Sequence, residues 1–296
     1  MTPALRSALE REISSAVGRP FRIKNTRDVS GGCIHSATVL EGGGTRFFAK
    51  LNERRFEDAF AAEADGLDAL AKAGIRAPSV IARSAQDDAA FLVLEHLELG
   101  PGSDAAYAAL GRQLAALHAH HGERFGWRRD NFIGATAQHN RESGSWVEFW
   151  QRERIAPQLA LAADNGFRGK LQRLGESLIE GLPRMLAGHA PAAALVHGDL
   201  WGGNAAFLAD GTPVIFDPAV YHGDREVDLA MTELFGGFSA AFHAAYREAA
   251  PLADGYPLRR TLYNLYHVLN HANLFGGGYA AQAERMMERL LAETRG

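Results

Sequence analysis

Residues 197–204 read HGDLWGGN, and residues 215–218 read IFDP. Asp199 is followed five positions later by Asn204, and Asp217 comes after a short predicted hairpin. Phosphoryl transfer requires a carboxylate that orients the attacking hydroxyl group and accepts its proton, together with oxygen ligands that hold Mg²⁺ on the triphosphate. Each of the three residues alone fits an ordinary turn, but their order and spacing are those of a kinase catalytic core. We therefore predict that Asp199 is the catalytic base and that Asn204 and Asp217 are magnesium ligands.

An independent pair of charged residues supports the same chemistry. A kinase needs a lysine on the strand after the nucleotide loop and a glutamate on the next helix to hold it. Lys50 ends the predicted strand FFAK, and Glu63 follows thirteen residues later. On a helix Glu63 shares one face with Phe60, Leu67 and Leu70, where an unpaired carboxylate would be costly. We predict an ion pair between Lys50 and Glu63; the alternative is that both lie at a solvated edge.

Two further segments are candidates for nucleotide contacts. Residues 30–36 read SGGCIHS and lack the GxGxxG pattern, so alone they would indicate only a turn. Between two strands they are suited to cover phosphate groups with backbone N–H groups, and we predict contacts at Gly31 and Gly32. The third predicted strand, FLVLEHL, runs up to a Gly-Pro-Gly break. A hinge there would offer backbone groups to adenine, and we predict these at Glu95 and Leu97.

The chain divides by composition into two parts. Residues 1–98 combine a short amphipathic helix at 4–17 with three extended stretches, the middle of which reads as a hairpin around residues 41–44. A Gly-Pro-Gly segment then interrupts the pattern, and residues 99–296 are mainly helical. With the kinase-type motif, this predicts an α+β, bilobal protein-kinase-like fold with an N-lobe at 1–98 and a C-lobe at 99–296. Helices are expected at 55–73, 104–121, 145–164, 169–188 and, with glycine breaks, 226–294.

Composition and charge exclude several classes of protein. Hydrophobic residues make up 47% and charged residues 22% of the 296 residues, which excludes a disordered or fibrous chain. No run of about 18 apolar residues is present, and the first twenty residues lack the apolar core of a secretory signal. A net charge of −4 gives no attraction to nucleic acid or to an anionic membrane, and a single cysteine, Cys33, is typical of a reducing compartment. We therefore expect a cytoplasmic protein without a nucleic-acid or membrane partner.

Four segments resemble the fructosamine kinase (ketosamine 3-kinase) family, which shares the fold of aminoglycoside phosphotransferases and protein kinases. They are HGDLWGGN at 197–204, FDPAVYHGDREVDLAMTELFGGF at 216–238, FGWRRDNFIGAT at 125–136 and SWVEFWQRERI at 145–155. The resemblance covers nearly the whole chain. The tryptophan of HGDLWGGN is more specific than the HGDxxxxN pattern that small-molecule kinases share.

The resemblance implies ATP-dependent phosphorylation of the sugar O3 of ketosamines, which are sugar adducts of amines such as ribulosamines, erythrulosamines and fructosamines. The phosphorylated product is unstable and releases the amine, so the family is associated with deglycation repair. Carried over by position, Asp199 is the base, Asn204 and Asp217 hold Mg²⁺, and Lys50 with Glu63 clamps ATP.

The resemblance also implies roles for residues around the reaction centre. Asp228 matches a carboxylate that braces the catalytic loop from a helix. Trp201 would form a flat surface for the sugar; the alternative is that it is a tryptophan packed in the core. The region of His271 and Asn273 lines the sugar pocket of the family. His267 and His271 also have the spacing of zinc ligands, but the glutamate of HExxH is absent.

Several alternatives remain open at this point. The sugar carrier is either a small amine or a protein, and we expect a monomer, with weak dimerisation left open. The activity could also be that of another small-molecule kinase, of the aminoglycoside, choline or homoserine type, or the chain could be an ATP-binding regulatory pseudokinase. A pseudokinase typically lacks at least one catalytic residue, and this chain has the complete set of Lys50, Glu63, Asp199, Asn204 and Asp217.

Overall fold

An antiparallel sheet forms the N-terminal part of the molecule. Its elements are α1 (Pro3–Val17), β1 (Asn25–Val29), β2 (Ser36–Gly42), β3 (Thr45–Glu53), α2 (Glu57–Lys72), β4 (Val80–Gln86) and β5 (Ala89–Glu95). The structure, a computed structural model, describes residues 1–29 and 35–293. Within them the five strands pair in the order β1-β2-β3-β5-β4. Lys50 lies on the central strand β3, opposite Ala37 of β2 and Leu92 of β5.

The sheet contains one strand that the sequence did not predict. β4 reads VIARSAQ and is half-buried along most of its length, so its apolar alternation is weak. It lies at the edge of the sheet beside β5. The predicted hairpin is present as β2 and β3, with a tighter turn at Gly43 and Gly44. Their φ angles of +56° and +76° are left-handed conformations that glycine adopts without strain.

Most of the remaining chain is helical. Its elements are α3 (Asp104–Leu117), β6 (Asn131–Ile133), β7 (Thr136–Gln138), α4 (Trp146–Phe149), α5 (Ala156–Asp164), α6 (Lys170–Met185), β8 (Ala194–Val196), β9 (Ala205–Phe207), β10 (Pro213–Ile215), β11 (Tyr221–Gly223), α7 (Glu226–Leu234), α8 (Ala240–Ala249), α9 (Tyr256–Phe275) and α10 (Tyr279–Glu293). The strands form two-stranded pairs, β6 with β7, β8 with β11 and β9 with β10. Over the ranges described, no helix is both long enough and apolar enough to cross a membrane.

Two of the predicted helical segments are interrupted in the structure. The segment 145–164 contains a π-helical turn, Trp150–Ile155, between α4 and α5. Within that turn Arg154 is fully buried, with its guanidinium 4.0 Å from the centroid of the Tyr221 ring. The run predicted from 226 to 294 breaks at 250–255 as well as at its two glycine segments. The π-helical turn has no breaker residue, whereas Pro251 and Gly255 at 250–255 are a helix-breaking signal that the prediction of one helical run overlooked.

One hydrophobic core joins the sheet to the helical part. Phe60, Leu67 and Leu70 of α2 are buried, as the helical spacing predicted. The hairpin formed by β9 and β10, between Asn204 and Asp217, is called the catalytic hairpin below. The same core contains side chains of the sheet, of this hairpin and the loop before it, and of the neighbouring helices, namely Leu92, Leu94, Leu110, Leu200, Phe207, Ile215 and Leu229. Because α2 packs against both parts, it is held in a fixed position relative to the catalytic hairpin.

A buried ion pair joins α7 to α9. Glu226, the first residue of α7, accepts hydrogen bonds from Arg259 of α9, from Nε at 2.6 Å and from Nη2 at 2.8 Å. The two side chains are only 2% and 6% exposed. Bidentate pairs of this kind fix both position and orientation. The pair therefore aligns α7, which carries Asp228, with α9, which carries His267.

We expect the substitution Arg259→Met to lower the free energy of unfolding by about 3–5 kcal/mol, because it leaves the Glu226 carboxylate buried without a partner. Urea denaturation followed by circular dichroism measures this change. The double variant Glu226→Leu with Arg259→Met removes both charges and should recover much of the loss. A single variant that loses less than about 1 kcal/mol would contradict this interpretation.

Candidate active site

Lys50 is the centre of a three-residue ion cluster. Its Nζ lies 2.7 Å from Oε1 of Glu63 on α2 and 2.6 Å from Oδ1 of Asp217, which follows β10. Burial alone lowers the pKa of Lys50, but the two carboxylates outweigh it and raise the pKa above its ordinary value. Burial also raises the pKa of Glu63. The positive charge of Lys50 opposes this shift and the negative charge of Asp217 adds to it, so that the pKa of Glu63 remains above its ordinary value. The predicted pair is present, and Asp217 joins it.

The hairpin β9–β10 brings Asn204 and Asp217 together. The register pairs Ala205 with Ile215, and the N–H of Phe216 donates to the carbonyl of Asn204 at 3.0 Å. Asp217 has a φ of +57°, a left-handed conformation that is uncommon outside glycine and often marks a functional residue. Its side chain is 44% exposed, so its carboxylate remains accessible while it contacts Lys50.

Asp199 lies beside this hairpin in a largely buried position. The Asn204 amide donates to the Asp199 carbonyl at 2.9 Å and to its Oδ2 at 3.3 Å. Burial, followed by repulsion from Asp217 and Asp228, raises the pKa of Asp199 to about 7. The Oδ1 atom lies 4.0 Å from Nδ1 of His267 on α9. A carboxylate with a pKa near neutrality is well suited to exchange a proton with a substrate hydroxyl.

The donor set around the hairpin fits a hard divalent cation. The negative charge of Asp217 repels that of Asp199, and a cation bound between them would reduce this repulsion. The carboxamide oxygen of Asn204 accepts no hydrogen bond from any described residue, so it is available as a ligand. Carboxylate and carboxamide oxygens are the ligands that Mg²⁺ prefers.

Asp228 braces the catalytic loop, as predicted from the sequence. Its Oδ2 accepts a hydrogen bond from the N–H of His197 at 2.7 Å, and its Oδ1 accepts one from the N–H of Gly198 at 2.9 Å. A third partner is Nε2 of His118, at 3.0 Å from Oδ2. Burial raises the pKa of Asp228, but these hydrogen bonds outweigh it and lower the pKa below its ordinary value. The buried carboxylate is therefore a stable anion that fixes the backbone before Asp199.

His197 has a positioning role that the sequence analysis missed. Its Nε2 lies 3.0 Å from the carbonyl of Phe216, and its Nδ1 accepts from the N–H of Asp199 at 3.2 Å. These partners assign the proton to Nε2. Burial lowers the pKa of His197, so the ring is neutral at physiological pH. The ring thus joins the backbone of Asp199 to that of Phe216. Its position two residues before Asp199 in the HGD motif was the sequence signal that could have indicated this role.

The segment FGWRRDN, which the sequence analysis linked to the family, contacts α2. The indole Nε1 of Trp127 donates to Oδ2 of Asp65 at 2.8 Å, and Arg128 contacts the other oxygen of that carboxylate. Asp65 lies two residues after Glu63 on α2. A loop of the helical part therefore holds the helix that carries the partner of Lys50. Nothing in the sequence indicated this contact, because Asp65 resembles any exposed helical aspartate.

The predicted sugar-binding residues do not all lie together. Trp201 is 40% exposed, so it is not a packed core residue. Its ring lies 6.5 Å from the ring of Phe235, which in turn lies 4.9 Å from the ring of His271. Asn273 points elsewhere, because its Nδ2 donates to Oε1 of Gln158 on α5 at 2.8 Å. Trp201, Phe235 and His271 form an aromatic surface; Asn273 does not join it.

The predicted nucleotide contacts are described only in part. Gly31 and Gly32 lie outside the described residues, as does Cys33. The N–H of Glu95 donates to the carbonyl of Ser79 at 2.9 Å, so that N–H is already occupied. The backbone of Leu97 hydrogen-bonds to no described residue and is therefore available to a ligand.

Comparisons with known proteins agree with the geometry of this site. A model of the fructosamine kinase family matches residues 5–293. The chain belongs to the fructosamine kinase family. A protein of Synechocystis sp. named "Probable ketoamine kinase" is 46% identical over 297 residues, which cover 98% of each chain. A chloroplastic protein-ribulosamine 3-kinase of Oryza sativa subsp. indica is 36% identical over 278 residues, 93% of this chain and 81% of the other.

Solved structures confirm the fold of this fructosamine kinase family member. The crystal structure of a candidate fructosamine-3-kinase from Haemophilus somnus matches with a TM-score of 0.89 at 28% identity, covering 96% of each chain. The choline kinase LicA from Streptococcus pneumoniae matches with a TM-score of 0.64 at 14% identity, covering 98% of this chain and 99% of the other. The second likeness shows the fold alone. The predicted α+β, kinase-like architecture is correct.

The raised pKa of Asp199 predicts a specific dependence of stability on pH. Because the folded state holds this proton up to about pH 7, stability falls as the pH rises from about 4 to about 7. Asp199→Asn removes the cost of ionising this carboxyl in the folded state. We therefore expect the variant to melt at a higher temperature than the wild type, and the difference in melting temperature to be larger at pH 8 than at pH 5. Scanning calorimetry in the presence of a chelator measures both values.

Asp254→Asn, in an exposed loop before α9, is the matched control and should show no such difference. Added Mg²⁺ should stabilise the wild type at pH 8 more than Asp199→Asn. If the two proteins differ in melting temperature by the same amount at both pH values, the pKa of Asp199 is not raised in the folded state.

The contact between Asp65 and Trp127 predicts an effect on nucleotide use. Asp65→Ala leaves the indole N–H without its partner and frees α2, so we expect a loss of about 1–3 kcal/mol in stability and roughly tenfold in kcat/KM for ATP. Asp68→Ala on the same helix is the control, since its pair with Lys72 is exposed. Equal effects of the two substitutions on kcat/KM would contradict a role for the contact in positioning Glu63.

Proposed function

We propose that this protein transfers the γ-phosphoryl group of ATP to the 3-hydroxyl group of a ketosamine. The observation that carries the proposal is the ion cluster of Lys50, Glu63 and Asp217. It lies at the end of the hairpin β9–β10, whose start is preceded by Asn204 and by Asp199, to which Asn204 hydrogen-bonds. The ketosamine acceptor follows from membership of the fructosamine kinase family and from the names of its relatives. The phosphorylated ketosamine is unstable and releases the amine, so the reaction would serve in the repair of glycation.

In this proposal Lys50 binds the phosphate groups of ATP. Two carboxylates keep its ammonium group charged in spite of burial, and Glu63 holds that group at 2.7 Å. Adenine hydrogen-bonds to the free backbone groups of Leu97, and the loop with Gly31 and Gly32 covers the phosphates. Glu95 contributes its carbonyl group at most, because its N–H is bonded to Ser79.

Asp199 accepts the proton of the attacking hydroxyl group. A bond forms between the sugar O3 and the γ-phosphorus, the bond from that phosphorus to the β,γ-bridging oxygen breaks, and the electron pair of the broken bond leaves with ADP. The pKa of about 7 means that Asp199 is a stronger base than an exposed aspartate. The hydrogen bond from Asn204 to Oδ2 and the fixed backbone before Asp199 keep the carboxylate in place.

Asn204 and Asp217 would hold Mg²⁺, which on binding neutralises charge on the phosphate oxygens. The accessible carboxylate of Asp217 and the unused carboxamide oxygen of Asn204 support this assignment. The sugar would lie against Trp201, with His271 behind it on the aromatic surface. We further propose lobes at 1–98 and 99–296, a monomeric state and a cytoplasmic location.

The test is product formation from Mg-ATP and a panel of ribulosyl-, erythrulosyl- and fructosyl-lysine, followed by phosphorus NMR. We expect a phosphate monoester at O3 with at least one sugar. Removal of a general base often costs about 10²–10⁴ in rate, so Asp199→Asn should be nearly silent while remaining folded. Chelation of divalent cations should abolish turnover.

Two other outcomes would overturn the proposal in different ways. Turnover of choline, homoserine or an aminoglycoside, without turnover of any ketosamine, would identify another small-molecule kinase. ATP binding without transfer to any acceptor would identify a regulatory pseudokinase.

A further inference from the structure

His267 is a buried histidine that faces the carboxyl group of Asp199. It lies on α9 and is only 5% exposed, and its Nδ1 is 4.0 Å from Oδ1 of Asp199. That distance is too long for a direct hydrogen bond, which spans about 2.7–3.2 Å between nitrogen and oxygen. A polar group of a bound molecule can therefore lie within reach of both side chains.

Neither ring nitrogen of His267 has a hydrogen-bond partner among the described residues. A histidine that only fills the core is normally hydrogen-bonded to its neighbours. The two nitrogens are not sealed inside the protein either, in contrast to Oδ1 of Asn264 one turn earlier on α9, which is buried without a partner. His271, one turn later, differs again, because its Nδ1 bonds to the carbonyl of His267 at 2.8 Å. The ring of His267 thus keeps its hydrogen-bonding capacity free beside Asp199.

The surroundings of His267 keep its ring neutral and in a fixed position. Burial, followed by repulsion from His271, lowers the pKa of His267 to about 3. A neutral imidazole has one N–H donor and one acceptor nitrogen, and with so low a pKa it is a poor base. The ring packs against that of Tyr266, with 5.2 Å between the centroids. Proton acceptance is therefore left to Asp199, and His267 is suited to bind a hydroxyl group.

The exposure of the site decides which end of a ketosamine can face His267. On one side of C3, the carbon that carries the accepting hydroxyl group, C2 leads to the amine and its carrier; on the other side, C4 carries the next hydroxyl group. The carrier must extend into solvent. Trp201, whose N–H donates to the Asp199 carbonyl at 3.1 Å, is 40% exposed, whereas α9 is buried at His267. With O3 at Asp199 and the amine on the open side, O4 lies on the side of His267.

The spacing of the two side chains suits two oxygens on adjacent carbons. With hydrogen bonds of about 2.8 Å at each end, O3 can donate to Oδ1 of Asp199 while O4 contacts Nδ1 of His267. These two contacts would fix the rotation about the C3–C4 bond. They would thereby hold O3 in one orientation before the phosphoryl group is transferred.

We infer that His267 binds the 4-hydroxyl group of the ketosamine and thereby positions O3 at Asp199. The inference rests on the proposed function and names a second group of the sugar that the site recognises. His267 contacts the substrate but does not take the proton that O3 releases.

The test compares two acceptors that differ only at that group: lysine carrying the preferred ketosamine sugar on Nε, and the 4-deoxy analogue of the same compound. For the wild type we expect kcat/KM to be about ten- to hundredfold lower for the analogue, because it leaves His267 without a partner. In His267→Phe and in His267→Leu, which offer no hydrogen bond, the two acceptors should agree within about threefold. His267→Asn, whose amide lies near the position of Nδ1, should recover much of the difference. The KM for ATP should change by less than about twofold in each variant.

His120→Phe, at an exposed histidine after α3, is the matched control and should keep the wild-type ratio of the two acceptors. Melting temperatures verify that each variant is folded. A ratio near one in the wild type would overturn the inference while leaving the proposed function intact. So would a ratio that survives in His267→Phe and His267→Leu because both acceptors lose activity equally, as a purely structural histidine requires. Absence of turnover with both acceptors in the wild type would overturn the proposed function and this inference with it.

Discussion

The buried ammonium group of Lys50 is the interaction on which the arrangement of the site depends. It joins the central strand of the sheet to α2 through Glu63 and to the catalytic hairpin through Asp217. Removal of Lys50 would leave the buried carboxylate of Glu63 without its partner, which is far more costly than the loss of an exposed pair. The three charges therefore require the sheet, α2 and the hairpin to be correctly placed at the same time, and the shared hydrophobic core supplies that placement.

A second network, made of hydrogen bonds to buried groups, holds the catalytic loop in place. Asp228 is a buried anion that accepts two backbone N–H groups, and the neutral ring of His197 links Asp199 to the strand before Asp217. His118 completes the network from α3. Since each of these groups hydrogen-bonds within the network, the loop has little freedom to rearrange. Within this network the pKa values of His197 and Asp228 are lowered, whereas that of Asp199 is raised to about 7.

The acceptor side of the site has a different character. Exposed aromatic rings at Trp201, two residues after Asp199, and at Phe235 offer flat surfaces. On the nucleotide side all three charges of the ion cluster are paired, with Lys50 and Glu63 buried and Asp217 partly exposed. This difference is consistent with the proposed roles, in which the ion cluster binds the phosphates of ATP and the aromatic surface contacts the sugar.

The sequence alone was enough to predict the kinase-like fold and the family, and it indicated the residues to which we assign the chemistry. Asn204 and Asp217 flank the hairpin β9–β10, with Asp199 five residues before Asn204, and Glu63 lies on one helical face with Phe60 and Leu67. Short-range spacing along the chain was therefore enough to predict them. The tertiary structure alone decided which distant groups support them: Asp65 meets Trp127 across 62 residues and His118 meets Asp228 across 110. It also showed that Asn273 bonds to α5 and that three arginines from two helices line one cavity. Such contacts depend on how whole elements pack, and a local pattern of residue types carries no record of which elements will be neighbours.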